Sequence, residues 1–349
     1  MRLSGEPSDM AIFEQAGAII RQGGLVAFPT ETVYGLGGNG LNAASSGKIY
    51  AAKGRPSDNP LILHIAERRE LTPLVENVPE LAEKLMDAFW PGPMTLIFRR
   101  SALVPKETTG GLDTVAVRMP SHPAARKLIL AAGVPIAAPS ANLSGRPSTT
   151  TAAHVWEDLA GRIEMILDGG PSDIGLESTI IDVTGPQPMI LRPGYIGLEH
   201  LQALLGEVAV DPTVFVKPDA SLRPKAPGMK YRHYAPKGDV ILVEGRTEQV
   251  TDYILREAAA AAQAGKRVGV LCCDESLRAY DFGEAPVRVL SLGTRSREES
   301  IAHNLFDTLR ELDTEGLELV YSEVFAEGEL GMAIMNRLRK AAGYHIVKV

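Results

Sequence analysis

GLVAFPTETVYGLGGNGLNAASSGKIYAAKGRPSDNPLILHI, residues 24–65, is the stretch on which the reading of this chain turns. It opens with a run of the buried-strand type at residues 25–28 and passes Pro29 into hydroxylated, glycine-dense sequence. A short helical segment then leads to Lys53-Gly54-Arg55-Pro56, and a second apolar run carries His64. Thr30, Thr32, Tyr34, Lys53, Arg55 and Asn59 can all donate to an anion, so a phosphate-bearing ligand is the first expectation. Lys53 and Arg55 stand two residues apart. In an extended segment such side chains point the same way, so an ammonium and a guanidinium fork converge on one polyphosphate from a loop edge. A second polar loop, Ser140-Ala141-Asn142, follows an apolar strand predicted at residues 134–138, and strand ends are where α/β sheets place their ligands.

Gly35-Leu36-Gly37-Gly38-Asn39-Gly40 also satisfies the GxGxxG pattern of dinucleotide sites, with Asp58 in reach as a ribose-binding acid. The segment before it is polar and Asp58 lies in a proline-flanked basic loop, so the glycines are expected to serve tight backbone turns instead. His64, a lone histidine in an apolar run, reads by itself as a core residue.

Outward from this stretch, 349 residues exceed one comfortable core and predict two domains. The net charge of −7 disfavours a protein that coats nucleic acid and leaves room for a local basic cleft. No stable direct tRNA binding is expected. Cys272 and Cys273 are adjacent and lack metal-ligand spacing, so they read as reduced core residues. With no signal-like start and no apolar run of membrane length, the expected location is cytoplasmic, with no membrane partner.

Residues 1–211 begin with a helix capped at Ser8 and stopped by Gly23-Gly24. Strands there outnumber helices without strict alternation, which predicts a mixed, twisted α/β sheet with helices. Residues 239–349 alternate strand and helix and predict a small three-layer, Rossmann-like α/β domain with parallel strands. Between them, residues 212–238 hold five prolines and six Lys/Arg against one acid, Asp219, and predict an extended linker. PGMKYRHYAP within it carries more chemistry than a spacer needs. Tyr231, Arg232 and His233 are expected to close over an anionic nucleotide as a lid.

Lys53-x-Arg55 with Ser140-x-Asn142, preceded by FPTETVYGLG and followed by GLESTIID and LRPGYI, resembles the YrdC-like family. PGMKYRHYAP and NRLRKAA (residues 336–342) resemble its two-domain, threonylcarbamoyl-adenylate-forming branch, over nearly the whole chain. The resemblance implies a nucleotidyltransferase reaction in which L-threonine, bicarbonate and ATP give threonylcarbamoyl-adenylate and pyrophosphate. A downstream threonylcarbamoyl transferase would then use the product to modify tRNA next to the anticodon. It further implies threonine contacts at Thr32, His64, Arg118 and Ser178. ATP contacts are implied at Arg55, Asn59, Thr114, Ala138, Ser140, Ser148 and Arg192, with Lys53 and Asn142 completing the motif. Lys53 and Arg55 are the expected catalytic pair, and Mg²⁺ is expected on the phosphates rather than in a protein cage. Two alternatives stand beside this reading. A carbamoyltransferase with a related domain would need zinc-finger cysteine pairs, which the sequence lacks. A non-enzymatic RNA-binding protein would need interleaved aromatics and a more basic chain.

Overall fold

The computed structural model describes residues 1–5, 9–219, 224–229, 233–325, 328 and 330–349. Ser8, the expected cap of the first helix, lies outside them, as do Tyr231 and Arg232. The chain forms two compact units, Met1–Ser144 with Ser148–Tyr231, and Gly145–Pro147 with Arg232–Val349.

The first unit is built on a ten-stranded mixed sheet in the order β10-β9-β8-β4-β5-β3-β6-β2-β1-β7. Its strands are β1 (Val26–Phe28), β2 (Gly35–Asn39), β3 (Ile62–His64), β4 (Met94–Arg99), β5 (Thr114–Arg118), β6 (Ile136–Ala137), β7 (Met165–Ile166), β8 (Thr179–Asp182), β9 (Met189–Arg192) and β10 (Ala209–Val210). β3 runs parallel to β5, with His64 opposite Arg118, and β5 runs antiparallel to β4, with Arg118 opposite Thr95. The mixed sheet expected from the sequence is therefore the one found.

Strand alternation sends successive side chains to opposite faces. Leu63, Leu96, Phe98, Val115, Val117 and Ile181 belong to one large core, shared with buried residues of helices α2 (Ala43–Lys53), α3 (Glu80–Phe89), α5 (Ala152–Leu159) and α6 (Leu198–Leu205). On the other face, helices α1 (Met10–Arg21) and α4 (Pro123–Ala132) pack together over Val26, Phe28 and Ile136. They cover only half of it. Over the other half, Ile62, Ile97, Ala116, Ile180 and Leu191 cluster with Ala226 and Met229, both buried, from the described part of the proline-rich segment. The sequence showed no apolar period there, and two anchors are too few to make one.

The glycine run is where the sequence reading fails. Residues 35–39 form β2, in the interior of the sheet, and none of Gly35, Gly37, Gly38 and Gly40 has a positive φ. These glycines serve close packing instead of turning. A Cβ on Gly37 would lie 2.7 Å from Ile136 Cγ2 and 2.9 Å from Phe28 Cε1, and one on Gly40 would lie 2.8 Å from the Pro135 carbonyl oxygen.

The second unit carries a five-stranded, all-parallel sheet in the order β13-β12-β14-β11-β15. The strands are β11 (Asp239–Glu244), β12 (Val268–Cys272), β13 (Val287–Ser291), β14 (Leu319–Glu323) and β15 (Ile346–Lys348). Helices α7 (Thr247–Gln263), α8 (Glu298–Thr314) and α9 (Gly331–Ala341) connect them, as the alternating pattern predicted. Cys272 and Cys273 are buried and unpaired to each other, and burial pushes both thiols up to about 12, which leaves them inert core residues. Among the described residues no helix is long and apolar enough to cross a membrane.

Gly37→Ala should destabilise the chain by about 1–3 kcal/mol through overpacking, measured by urea unfolding. A variant as stable as the parent would show that β2 does not need this close approach.

Candidate active site

The hydroxyl of Thr30 sets the local turn that opens the site. It donates to the Val33 carbonyl at 2.6 Å and accepts from the Thr32 and Val33 amides, at 3.2 and 3.3 Å. This places Glu31 and Thr32 side by side with their side chains buried. Tyr34, a sequence-level anion donor, ties the loop down instead. Its hydroxyl donates to the Gly170 carbonyl at 2.6 Å, and its ring is fully buried.

At the end of β5, on the half-face that the helices leave uncovered, stands Arg118, which is 4% exposed. Its Nη1 donates to Thr32 Oγ1 at 2.8 Å and its Nε to the Gly92 carbonyl at 3.3 Å. Its Nη2 lies 2.8 Å from Glu31 Oε1. That last contact is an ion pair without hydrogen-bond alignment, so Arg118 Nη2 and both Glu31 oxygens have no aligned partner among the described residues. Burial opposes the Glu31 charge, but Arg118, followed by the nearby amides of Glu31 and Ser121, holds the carboxyl below its usual range. Glu31 is a carboxylate here.

His64 is fixed beside Arg118 by strand register and edge-on to the Phe28 ring, with centroids 6.2 Å apart. Its Nδ1 lies 3.2 Å from the Ile62 carbonyl oxygen. Burial first, then Arg118, holds its pKa down at about 3, so the ring is neutral in ordinary conditions. Ser178 precedes β8, and its hydroxyl is 2.7 Å from Thr95 Oγ1. Arg192, at the end of β9, reaches the same serine, with Nε and Nη2 donating to its carbonyl at 3.1 and 3.0 Å and Nη2 to its hydroxyl at 3.1 Å. Thr32, Arg118 and His64 thus form one group, and Ser178 joins it through Thr95, the strand partner of Arg118.

Lys53 and Arg55 sit elsewhere than expected. They do not lie on an extended segment or at a loop edge. α2 is capped at its start by the Asn42 side chain and ends at Gly54, whose φ of 62° turns the chain into the left-handed region. Lys53 and Arg55 are consequently buried, at 3% and 9% exposure. Lys53 Nζ donates to the Ser140 carbonyl at 2.5 Å and to the Asn142 carbonyl. The KGRP and SAN motifs are therefore held together by one ammonium group. Arg55 donates to the Asn59 and Pro60 carbonyls, at 3.3 and 3.0 Å. Carbonyls accept these bonds without bringing formal charge, so the contacts alone do not neutralise the cations. Asn59 is buried, and among the described residues its Oδ1 has no hydrogen-bond partner.

Ala138, just beyond β6, donates its amide to the Ile62 carbonyl, and Ser140 bridges to Gly35. Ser148 Oγ donates to Glu177 Oε1 at 2.6 Å. Thr114 begins β5, four residues before Arg118 and on the same face, roughly 13 Å away at the usual strand rise. Tyr231 lies outside the described residues. His233 belongs to the second unit, where its ring lies tilted against Tyr234 with centroids 5.5 Å apart; Tyr234 in turn packs 5.2 Å from Phe306 and lies under the Arg337 guanidinium. Sequence reasoning missed Glu31, Thr95 and Glu177. For Glu31 a signal was present, since it is the one charged residue between Phe28 and Lys48.

With this geometry in hand, comparison with known proteins is informative. The Sua5/YciO/YrdC family model, described as telomere recombination, matches residues 18–194. A second model, described as threonylcarbamoyl-AMP synthase, C-terminal domain, matches residues 196–343. The threonylcarbamoyl-AMP synthase of Pyrococcus abyssi is 51% identical over 96% of this chain and 95% of its own length. That of Bacillus subtilis is 47% identical over 96% and 94%. The crystal structure of Pyrococcus abyssi Sua5 complexed with L-threonine aligns with a TM-score of 0.91 and 48% identity, covering 100% of this chain and 98% of that one.

His64 carries the prediction of this site. Its folded pKa lies below the free value of about 6.5, so protonation favours the unfolded chain. The stability that its neutral form contributes is complete above that value and is lost as the pH falls below it. Its imidazole NMR signal, assigned by its loss in His64→Gln, should show no inflection between about pH 5 and 8. An inflection near 6.5 would mean an exposed or unburdened ring. The two matches together span both units, and the chain belongs to the Sua5/YciO/YrdC family in its two-domain form.

Proposed function

We propose that this chain is a threonylcarbamoyl-AMP synthase that converts L-threonine, bicarbonate and ATP into threonylcarbamoyl-adenylate, pyrophosphate and water, for threonylcarbamoyl modification of tRNA. The observation that carries the reading is the two-ended half-face. Arg118, Thr32, His64 and Ser178 gather at one end, and Lys53, Arg55 and Asn59 lie with the Ser140–Asn142 loop toward the other. In this assignment Arg118 takes the threonine carboxylate, while Arg55, Asn59, Thr114, Ala138, Ser140, Asn142, Ser148 and Arg192 line the nucleotide, with Lys53 beside the phosphates.

The chemistry asks for such an arrangement. The threonine amine and bicarbonate give a carbamate, which is labile in water, and a carbamate oxygen attacks the α-phosphorus as the bond to pyrophosphate breaks. Negative charge grows on phosphate oxygens, and each preorganised donor there is worth about 2.7–4 kcal/mol in the transition state. Neutral His64 can accept or donate one hydrogen bond without adding a charge that would compete with Arg118. Among the described residues no group of three or more His, Cys, Asp or Glu side chains could cage a metal. In this proposal Mg²⁺ enters on the phosphates.

Residues 1–211 form the catalytic domain in this proposal, residues 212–238 a lid and residues 239–349 its anchor. Ala226 and Met229 support the lid, since they already lie over Ile62 and Ala116, between the two ends of the half-face. Water exclusion protects the carbamate, and reopening releases the adenylate to a downstream transferase in the cytoplasm.

Pyrophosphate release should require both threonine and bicarbonate. Arg118→Ala should raise the threonine KM about 10- to 100-fold, as expected for a charged hydrogen-bonding partner worth about 1.5–3 kcal/mol, with little change in the ATP KM. Proteolysis within residues 212–238 should slow when ATP and threonine are present together. Pyrophosphate release that is indifferent to threonine would overturn the reading.

A further inference from the structure

Glu31 has no part in the mechanism above, yet it stands in its centre. Its carboxylate is 6% exposed, remains charged, and lies 2.8 Å from the guanidinium assigned to the threonine carboxylate. Arg118 and the nearby amides of Glu31 and Ser121 stabilise its charge, but among the described residues neither of its oxygens, nor the facing Nη2 of Arg118, makes a well-aligned hydrogen bond. Buried polar atoms in native structures nearly always make good hydrogen bonds, so a buried ion pair whose facing atoms are poorly aligned, inside the group assigned to threonine, has capacity left for a ligand.

We propose that Glu31 receives the α-ammonium group of the amino-acid substrate, so that Glu31 and Arg118 together read the zwitterion. The inference rests on the threonine site of the proposed function and adds a specificity-determining residue to it. An α-amino acid carries its two charges on substituents of one carbon, and the site presents the two complementary charges in direct contact. Arg118 alone would hold a carboxylate but leave a buried ammonium beside a cation, an arrangement that costs more than it returns. With Glu31 present, each ligand charge meets its opposite, and the poorly aligned atoms of the pair gain a further hydrogen bond. His64 and His122 are the other titratable groups that feel the Glu31 charge. Burial holds both pKa values down, so neither adds a competing cation. The same pair rejects ligands that have only one of the two charges. A carboxylate without an amine would meet Arg118 but sit against the uncompensated Glu31 carboxylate.

The alternative is that Glu31 merely balances Arg118, and equilibrium binding separates the two roles. By calorimetry, the full-length parent chain should bind L-threonine at least about 100-fold more tightly than 3-hydroxybutanoate, which is threonine without its amine. Glu31→Gln keeps the shape and removes the charge. It should weaken L-threonine about 10- to 100-fold and leave 3-hydroxybutanoate unchanged or tighter, since the repulsion is gone. Glu31→Asp should recover part of the threonine affinity. If Glu31 only positions Arg118, both ligands weaken by the same factor in Glu31→Gln, and the proposal falls. Should Glu31→Gln not fold, the parent arm decides by itself: comparable affinity for the two ligands overturns the proposal while leaving a threonine site in place. No binding of L-threonine by the parent chain overturns the threonine site, and this inference with it.

Discussion

A guanidinium buried at the end of a sheet strand is the constraint around which the first unit is arranged. Arg118 cannot be left there without partners, because an uncompensated buried charge costs several kcal/mol. The chain supplies three of them from two segments distant in sequence: the Thr32 hydroxyl and the Glu31 carboxylate from one, and the Gly92 carbonyl from the other. Each has to be delivered by its own structure. The Thr30 turn delivers the first two, and the Trp90–Pro93 connection delivers the third. Strand register then brings His64 to one side and Thr95, with Ser178, to the other.

The opposite end of the half-face follows the same logic with different donors. Lys53 and Arg55 are buried cations satisfied by main-chain carbonyls, and their bonds pull the Ser140–Asn142 loop and the Asn59–Pro60 turn into place. In the proposed function, binding and local architecture therefore share the same atoms. An alanine at either position would remove a loop tie as well as a charge, so its effect on activity cannot be separated from an effect on loop order unless stability is measured alongside.

The architecture was legible where one periodicity dominates. Alternation of strand and helix after residue 239, broken only between β12 and β13, pointed to a parallel sheet, and the loose order before residue 211 to a mixed one. The glycine run 35–40 was misread because sequence reports permissiveness and not its use. Those glycines have ordinary φ and are small for the sake of Ile136, Phe28 and Leu63, which are neighbours only in the folded chain. Lys53 and Arg55 stood out as candidate site residues from their chemistry, but their burial was hidden. A left-handed Gly54 reverses the alternation on which the extended reading relied. Glu31 was passed over because its partner, Arg118, is far along the chain, and an acid in a stretch read for anion binding had no evident use.

The central claim is that one half-face holds an amino acid at the Arg118 end and a nucleotide at the Lys53 end. A crystal structure of the full chain with L-threonine and a non-hydrolysable ATP analogue tests it most directly. The account predicts the threonine carboxylate within about 3 Å of an Arg118 nitrogen, the phosphates beside Lys53 and Arg55, and the reacting atoms between them over Ala116. Threonine bound away from Arg118, or the nucleotide on another surface of the chain, would contradict it.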